Sequence, residues 1–260
     1  MSTTWETTRQ LEVDDYTTRL YELCAEAGFD NVLMPVAAEA ISHYSNDLPY
    51  HNIEHMFYVA ETALALCELY DVDDYQKQVI IMSALWHDAD YRPGLDDEDI
   101  SKEHRSGTIA YTAIMHRTVL LHSEGMIDDE QLQHYTNYAD DVRQTIISTL
   151  ADREPQNIME QVLNEADLSN VSGNSLYVLQ NTALLFVEKH LLAGEDVVGS
   201  VEPFIRSHLD QFTQYCSDSQ DFLTILLQTK FKDVTRFASN IAQITPANII
   251  KRVFGVQQDE

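Results

Sequence analysis

Ten histidines in 260 residues are few enough to weigh one by one, and their spacing singles out a handful. In Tyr50-His51-Asn52-Ile53-Glu54-His55 two imidazoles stand four residues apart, which is one face of a helix. Trp86-His87-Asp88 follows near the end of the next helix-like stretch, and Glu165-Ala166-Asp167-Leu168 adds an acidic pair flanked by apolar residues. A His-Asp dipeptide alone is weak evidence, since chance supplies one readily, so the weight lies in its companions. Two imidazoles and two carboxylates form a nitrogen–oxygen donor set suited to a divalent ion such as Mn²⁺, Fe²⁺, Co²⁺, Ni²⁺ or Zn²⁺, with Mg²⁺ the hard extreme. Four protein ligands leave positions on an octahedral ion for water and for substrate oxygens. Such an ion lowers the pKa of bound water and neutralises a phosphate.

Charge narrows the substrate. Sixteen Lys and Arg against 43 Asp and Glu give a formal net charge of −27. A surface that negative repels DNA and RNA, whose binding rests on cationic neutralisation of phosphates, and it repels anionic membranes too. An anionic substrate must therefore be small and must meet a local positive charge, which a metal would supply. The cations Lys102, Arg105 and Arg92 offer phosphate contacts near the His-Asp pair in sequence.

The elements that must position these groups read as helices. With 8 Gly and 6 Pro the chain has roughly half the usual share of turn-formers, whereas strand-rich folds need a turn about every 8–12 residues. Met56, Val59, Ala63, Leu66 and Tyr70 advance by three or four, and Asn52 is placed to cap the helix they define. Further helices are expected over 75–89, about 100–121, 128–150, 158–168 and 176–192, with two or three more across 202–256. The Arg92-Pro93-Gly94 cluster and the acidic Asp96-Asp97-Glu98-Asp99 loop separate the second from the third. The aromatics Tyr177, Phe186, Phe204 and Phe212 are expected to pack in the core.

Together these residues resemble the HD superfamily of metal-dependent phosphohydrolases, whose pattern is H…HD…D on a helical bundle. Tyr50-His51-Asn52-x-x-His55 is similar to the form found in cyclic-nucleotide phosphodiesterases and in a group of HD phosphohydrolases known from sequence. That group continues as this chain does, with His87-Asp88-Ala89-Asp90-Tyr91, an acidic loop and Glu103-His104-Arg105-Ser106. Ile146-Ile147-Ser148-Thr149 and Glu165-Ala166-Asp167-Leu168 then match its later segments. The likeness spans about residues 45–190. It implies His55, His87, Asp88 and Asp167 as ligands of one or two divalent ions, Asp88 bridging if there are two. It implies His51 as general acid toward the leaving oxygen, and Glu103 as a group that orients a ligand or water. Lys102 and Arg105 are then the substrate-side cations, although Lys102 replaces a usual Asn and Glu165 a usual Asp. His104 and His116 are expected to be ordinary surface residues.

The expectation is an all-α protein: an HD-type helical bundle over 45–195, a helical extension over 1–44, and helices packed on the core over 196–260. Its expected activity is hydrolysis of a phosphate ester of a small nucleotide, cyclic or a nucleoside phosphate, by metal-activated water. The alternative is a non-catalytic sensor that sequesters a nucleotide on the same fold. A partner-binding role for the C-terminal helices is a third reading. Expected partners are a small nucleotide, no nucleic-acid polymer and no membrane, with a homo-oligomer allowed. Cys24, Cys67 and Cys216 are widely spaced with no CxxC, which suits a reducing compartment. The N-terminal residues lack a basic-then-apolar signal and no apolar run approaches a membrane span, so a cytoplasmic location is expected.

Overall fold

Eight α-helices account for nearly all the chain that the computed structural model describes, namely residues 4–45, 47–92, 100–150, 153–169 and 175–188, with side chains from 16 onward except 175–180. In order they are α1 (Thr4–Ala27), α2 (Leu33–Ala40), α3 (Ile53–Tyr70), α4 (Asp74–Trp86), α5 (Lys102–Ser123), α6 (Asp129–Ile147), α7 (Ile158–Leu168) and α8 (Ser175–Phe186), with one 3₁₀ turn, Ile41–His43, after α2. No β-strand occurs among the described residues. The expected helices over 202–256, and Tyr177, Phe204, Phe212 and Cys216, lie outside the described side chains.

Local chemistry starts most of these helices where the sequence says it should. Asp73 accepts the Gln76 N–H at 2.8 Å while the Gln76 side chain accepts the Asp73 N–H at 3.1 Å, a reciprocal cap at the start of α4. Asp128 and Gln131 repeat the device for α6. Asn52 accepts the His55 N–H at 3.2 Å and so caps α3, as its position suggests. Gly28, at φ 74°, ends α1 in the left-handed conformation that a side chain would strain.

The chain divides into two compact units. One comprises Met1–Tyr44, Met56–Tyr91 and Ile100–Asn164; the other comprises Ser45–His55, Arg92–Asp99 and Glu165–Glu260. The division passes through α3 and α7, each of which is continuous. In the first unit α4 is the centre. Residues 79–86 are all buried, an unbroken apolar run but for Ser83, and α1, α2, α5 and α6 each pack against this helix. The Ser83 hydroxyl donates to the Val142 carbonyl at 3.3 Å and so is satisfied. Phe186 of α8, in the second unit, is fully buried, in line with its expected core role.

The packing of α5 against α6 depends on a glycine. A Cβ on Gly107 would lie 3.1 Å from the Arg143 carbonyl oxygen and 3.3 Å from its side chain. Gly107→Val should therefore destabilise the protein by about 1–3 kcal/mol through overpacking. Exposed Thr108→Ala, one position on, should stay within about 0.5 kcal/mol. Thermal denaturation of both variants checks this; equal melting temperatures would refute the close packing.

Cys24 and Cys67 are buried free thiols, and burial pushes each up to about 12, away from reactivity. No helix among the described residues is long and apolar enough to cross a membrane.

Candidate metal centre

The sequence pattern suggests that the second helix runs to Ala89, but α4 stops at Trp86 and His87–Asp90 form consecutive turns. Local hydrogen bonds explain the stop. His87 Nδ1 meets the Ala84 carbonyl at 2.8 Å, and the Asp88 N–H donates to the Tyr44 hydroxyl at 3.2 Å. Side chains thus take over partners that a continuing helix would use for itself. The Asp90 N–H donates to the Ser106 hydroxyl at 3.2 Å, and Arg105 Nε donates to Asp90 at 2.8 Å. Ser106 is wholly buried. The Glu103-His104-Arg105-Ser106 segment therefore clamps the turn that carries His87 and Asp88.

Among the described residues, one group of three side chains could hold a metal ion: His55, His87 and Asp88. All are buried, and their ligand atoms lie within 4.8 Å of one another. The donor chemistry fits. The His87 contact with a carbonyl requires a proton on Nδ1, which leaves Nε2 as a lone pair in the neutral ring. That Nε2 lies 3.0 Å from Asp88 Oδ2, so two acceptors face each other in a site only 1–3% exposed. A cation between them, or a proton, resolves the conflict. Atoms bound about 2.1 Å from an ion lie about 3.0 Å apart at right angles and about 3.4 Å apart in a tetrahedron. Asp167 stands outside the group of three, yet its Oδ1 lies 3.3 Å from His55 Nε2. The 3.0 Å and 3.3 Å spacings each fall in the range that two ligand atoms sharing an ion show.

The remaining expected residues fall into two sets. Lys102 Nζ lies 2.8 Å from Asp88 Oδ1 and 3.9 Å from Glu103 Oε1, and Glu103 is itself buried. Arg105 binds Asp90 and, through Nη1, the Ile100 carbonyl at 2.7 Å. Both expected substrate-side cations therefore hold acidic partners of the chain itself. His104 is exposed and bonded to Ser101, and His116 is exposed on α5.

His51 brings in a residue that the sequence reading missed. Its Nδ1 bonds Glu188, whose other carboxylate oxygen accepts the backbone N–H of Tyr50 at 2.9 Å and of His51 at 3.0 Å. Glu188 is fully buried where α8 widens into a π turn. Burial pushes its carboxyl up, but the bond to His51, the charge of His51 and the two N–H donors outweigh that and hold it below its ordinary 4.5. Tyr50 packs its ring against both imidazoles, at centroid distances of 4.8 Å to His51 and 4.6 Å to His55. The only hint of Glu188 in the sequence is a lone carboxylate closing the apolar run Ala183-Leu184-Leu185-Phe186-Val187.

No family model matches the chain and no curated relative matches its sequence. In structure the chain is similar to the phosphodiesterase domain of the RhoPDE fusion protein from the choanoflagellate Salpingoeca rosetta. The TM-score is 0.52 over 88% of this chain and 90% of that one, at 16% sequence identity. The likeness is one of fold alone, and the described residues of this chain are helical throughout their regular structure.

Proposed function

We propose that this chain is a metal-dependent phosphohydrolase of the HD superfamily that hydrolyses a phosphate ester of a small nucleotide. The observation that carries the reading is the buried His55, His87 and Asp88 group, with the His87 tautomer set by a carbonyl. His55, His87, Asp88 and Asp167 would hold a divalent ion, which when bound supplies positive charge to the phosphate and acidifies a water.

The chain's own residues do the rest. Water attacks phosphorus and gives up one proton to solvent, the bond to the leaving oxygen breaks, and His51 delivers a proton from Nε2 to that oxygen. Glu188 holds the other face of the ring, so the imidazolium is stabilised and aimed. Glu103, buried beside Lys102, accepts a hydrogen bond from the attacking water. Lys102 and Arg105 keep the mouth of the site from becoming uniformly negative in a chain of net charge −27. The same charge supports a small-molecule substrate over a nucleic-acid polymer. The Tyr50-His51-Asn52-x-x-His55 form favours a phosphodiester, cyclic nucleotides included.

The test is a panel of cyclic, mono-, di- and triphosphate nucleotides with Mn²⁺-loaded protein, followed by product chromatography. Turnover of a phosphodiester is expected. Unhydrolysed nucleotide retained without turnover on any member would reassign the chain as a binding protein.

A further inference from the structure

We propose that this centre takes a single metal ion per chain, because the ammonium of Lys102 stands where a second cation would bind Asp88. The inference rests on the metal reading above and goes beyond it by assigning nuclearity.

Paired-ion sites place their metals about 3.5–4 Å apart, and in this chain Asp88 is the residue that would bridge them. Within the buried group of three, Asp88 is the carboxylate, with two oxygens to share. Its Oδ2 faces the imidazole of His87 at 3.0 Å from Nε2. Its Oδ1 faces Lys102 Nζ at 2.8 Å, a charge-assisted contact of full strength. One oxygen therefore faces an imidazole that could share a metal with it, and the other faces a cation that the chain carries itself. The carboxylate is only 3% exposed, so little water screens a second ion from that ammonium.

Lys102 is held in this place from several sides. It is the first residue of α5, directly after the Ser101 cap, so its backbone is fixed. Its ammonium lies 5.2 Å from the Tyr91 ring centroid and 3.9 Å from Glu103. Among the described residues, the other donors beside Asp88 are engaged by partners of the chain itself. Glu103 faces the ammonium, Asp90 is taken by Arg105, and His104 is exposed and bonded to Ser101. A single positive charge that is covalently part of the chain neutralises Asp88 and requires no further ligands.

The experiment counts ions. Chelator-treated wild type, Lys102→Gln and Lys102→Arg are titrated with Mn²⁺, desalted and measured by elemental analysis. Electron paramagnetic resonance of the same samples separates isolated from coupled ions, and circular dichroism verifies equal helix content. Wild type and Lys102→Arg should hold one ion per chain and give the hyperfine pattern of an isolated ion. Lys102→Gln should hold two, with a spin-coupled spectrum. Two ions in wild type, or one in Lys102→Gln, would overturn the inference while leaving the metal reading intact. No ion in any of the three would overturn the metal reading, and this inference with it.

Discussion

His87→Ala and Asp88→Ala should each purify without the metal that wild-type protein retains. Both side chains are almost fully buried, and each offers a donor atom to the group that includes His55. Loss of a partner that merely orients a ligand costs about 10–100-fold in affinity, so loss of a ligand should exceed that range. A second readout comes from stability. An ion present at 100 times its dissociation constant stabilises the folded state by about 2.7 kcal/mol. Wild-type melting temperature should therefore rise on addition of Mn²⁺ or Zn²⁺, and neither variant should respond. Asp167→Asn should weaken binding less than these two, because Asp167 meets His55 but lies outside the compact group of three. Elemental analysis that finds unchanged metal in both His87→Ala and Asp88→Ala would sink the assignment of the centre.

The second large effect separates proton delivery from metal binding. His51→Gln should retain metal and keep KM near wild type while kcat falls by about 10²–10⁴, the usual contribution of a positioned general acid. An ester whose leaving group needs no proton, such as p-nitrophenolate, should be much less affected. Glu188→Gln should lower kcat in the same direction by a smaller factor, since the amide still accepts a backbone N–H but no longer stabilises a charged ring. The double variant should be little worse than His51→Gln alone, because Glu188 acts through His51. Emptying of the metal site by His51→Gln would instead make His51 a ligand. Unchanged metal and rate would make it a packing residue. Glu188 also carries a pH signature. Its folded pKa lies below the ordinary 4.5, so its contribution to stability is complete above that value and is lost as pH falls through the lowered one. Wild type should lose melting temperature on acidification below pH 4.5 more steeply than Glu188→Gln.

The helical character of this chain and the chemistry of its metal group are both local properties, and both were legible in the residue string. Apolar spacing of three and four, a scarcity of glycine and proline, and side-chain caps such as Asn52, Asp73 and Asp128 act within one or two turns, so the presence of helices such as α3, α4 and α6 follows from neighbours. Imidazole and carboxylate identity is written in the sequence, which is why His55, His87 and Asp88 could be named as a candidate metal group without coordinates. Distance across the sequence is what hid the rest. Glu188 reaches His51 across 137 positions, and nothing in an apolar helix announces which distant N–H groups its one carboxylate will meet. The end of α4 at Trp86 depends on Tyr44, an element away, taking the Asp88 N–H. Lys102 reads as a phosphate-binding cation from charge alone, yet folding sets it 2.8 Å from Asp88. Periodicity reports which face of a helix is apolar, because that is fixed by 3.6 residues per turn. Which charge meets which in a buried site is decided by packing between helices, where desolvation makes each unpaired group costly and each pairing specific.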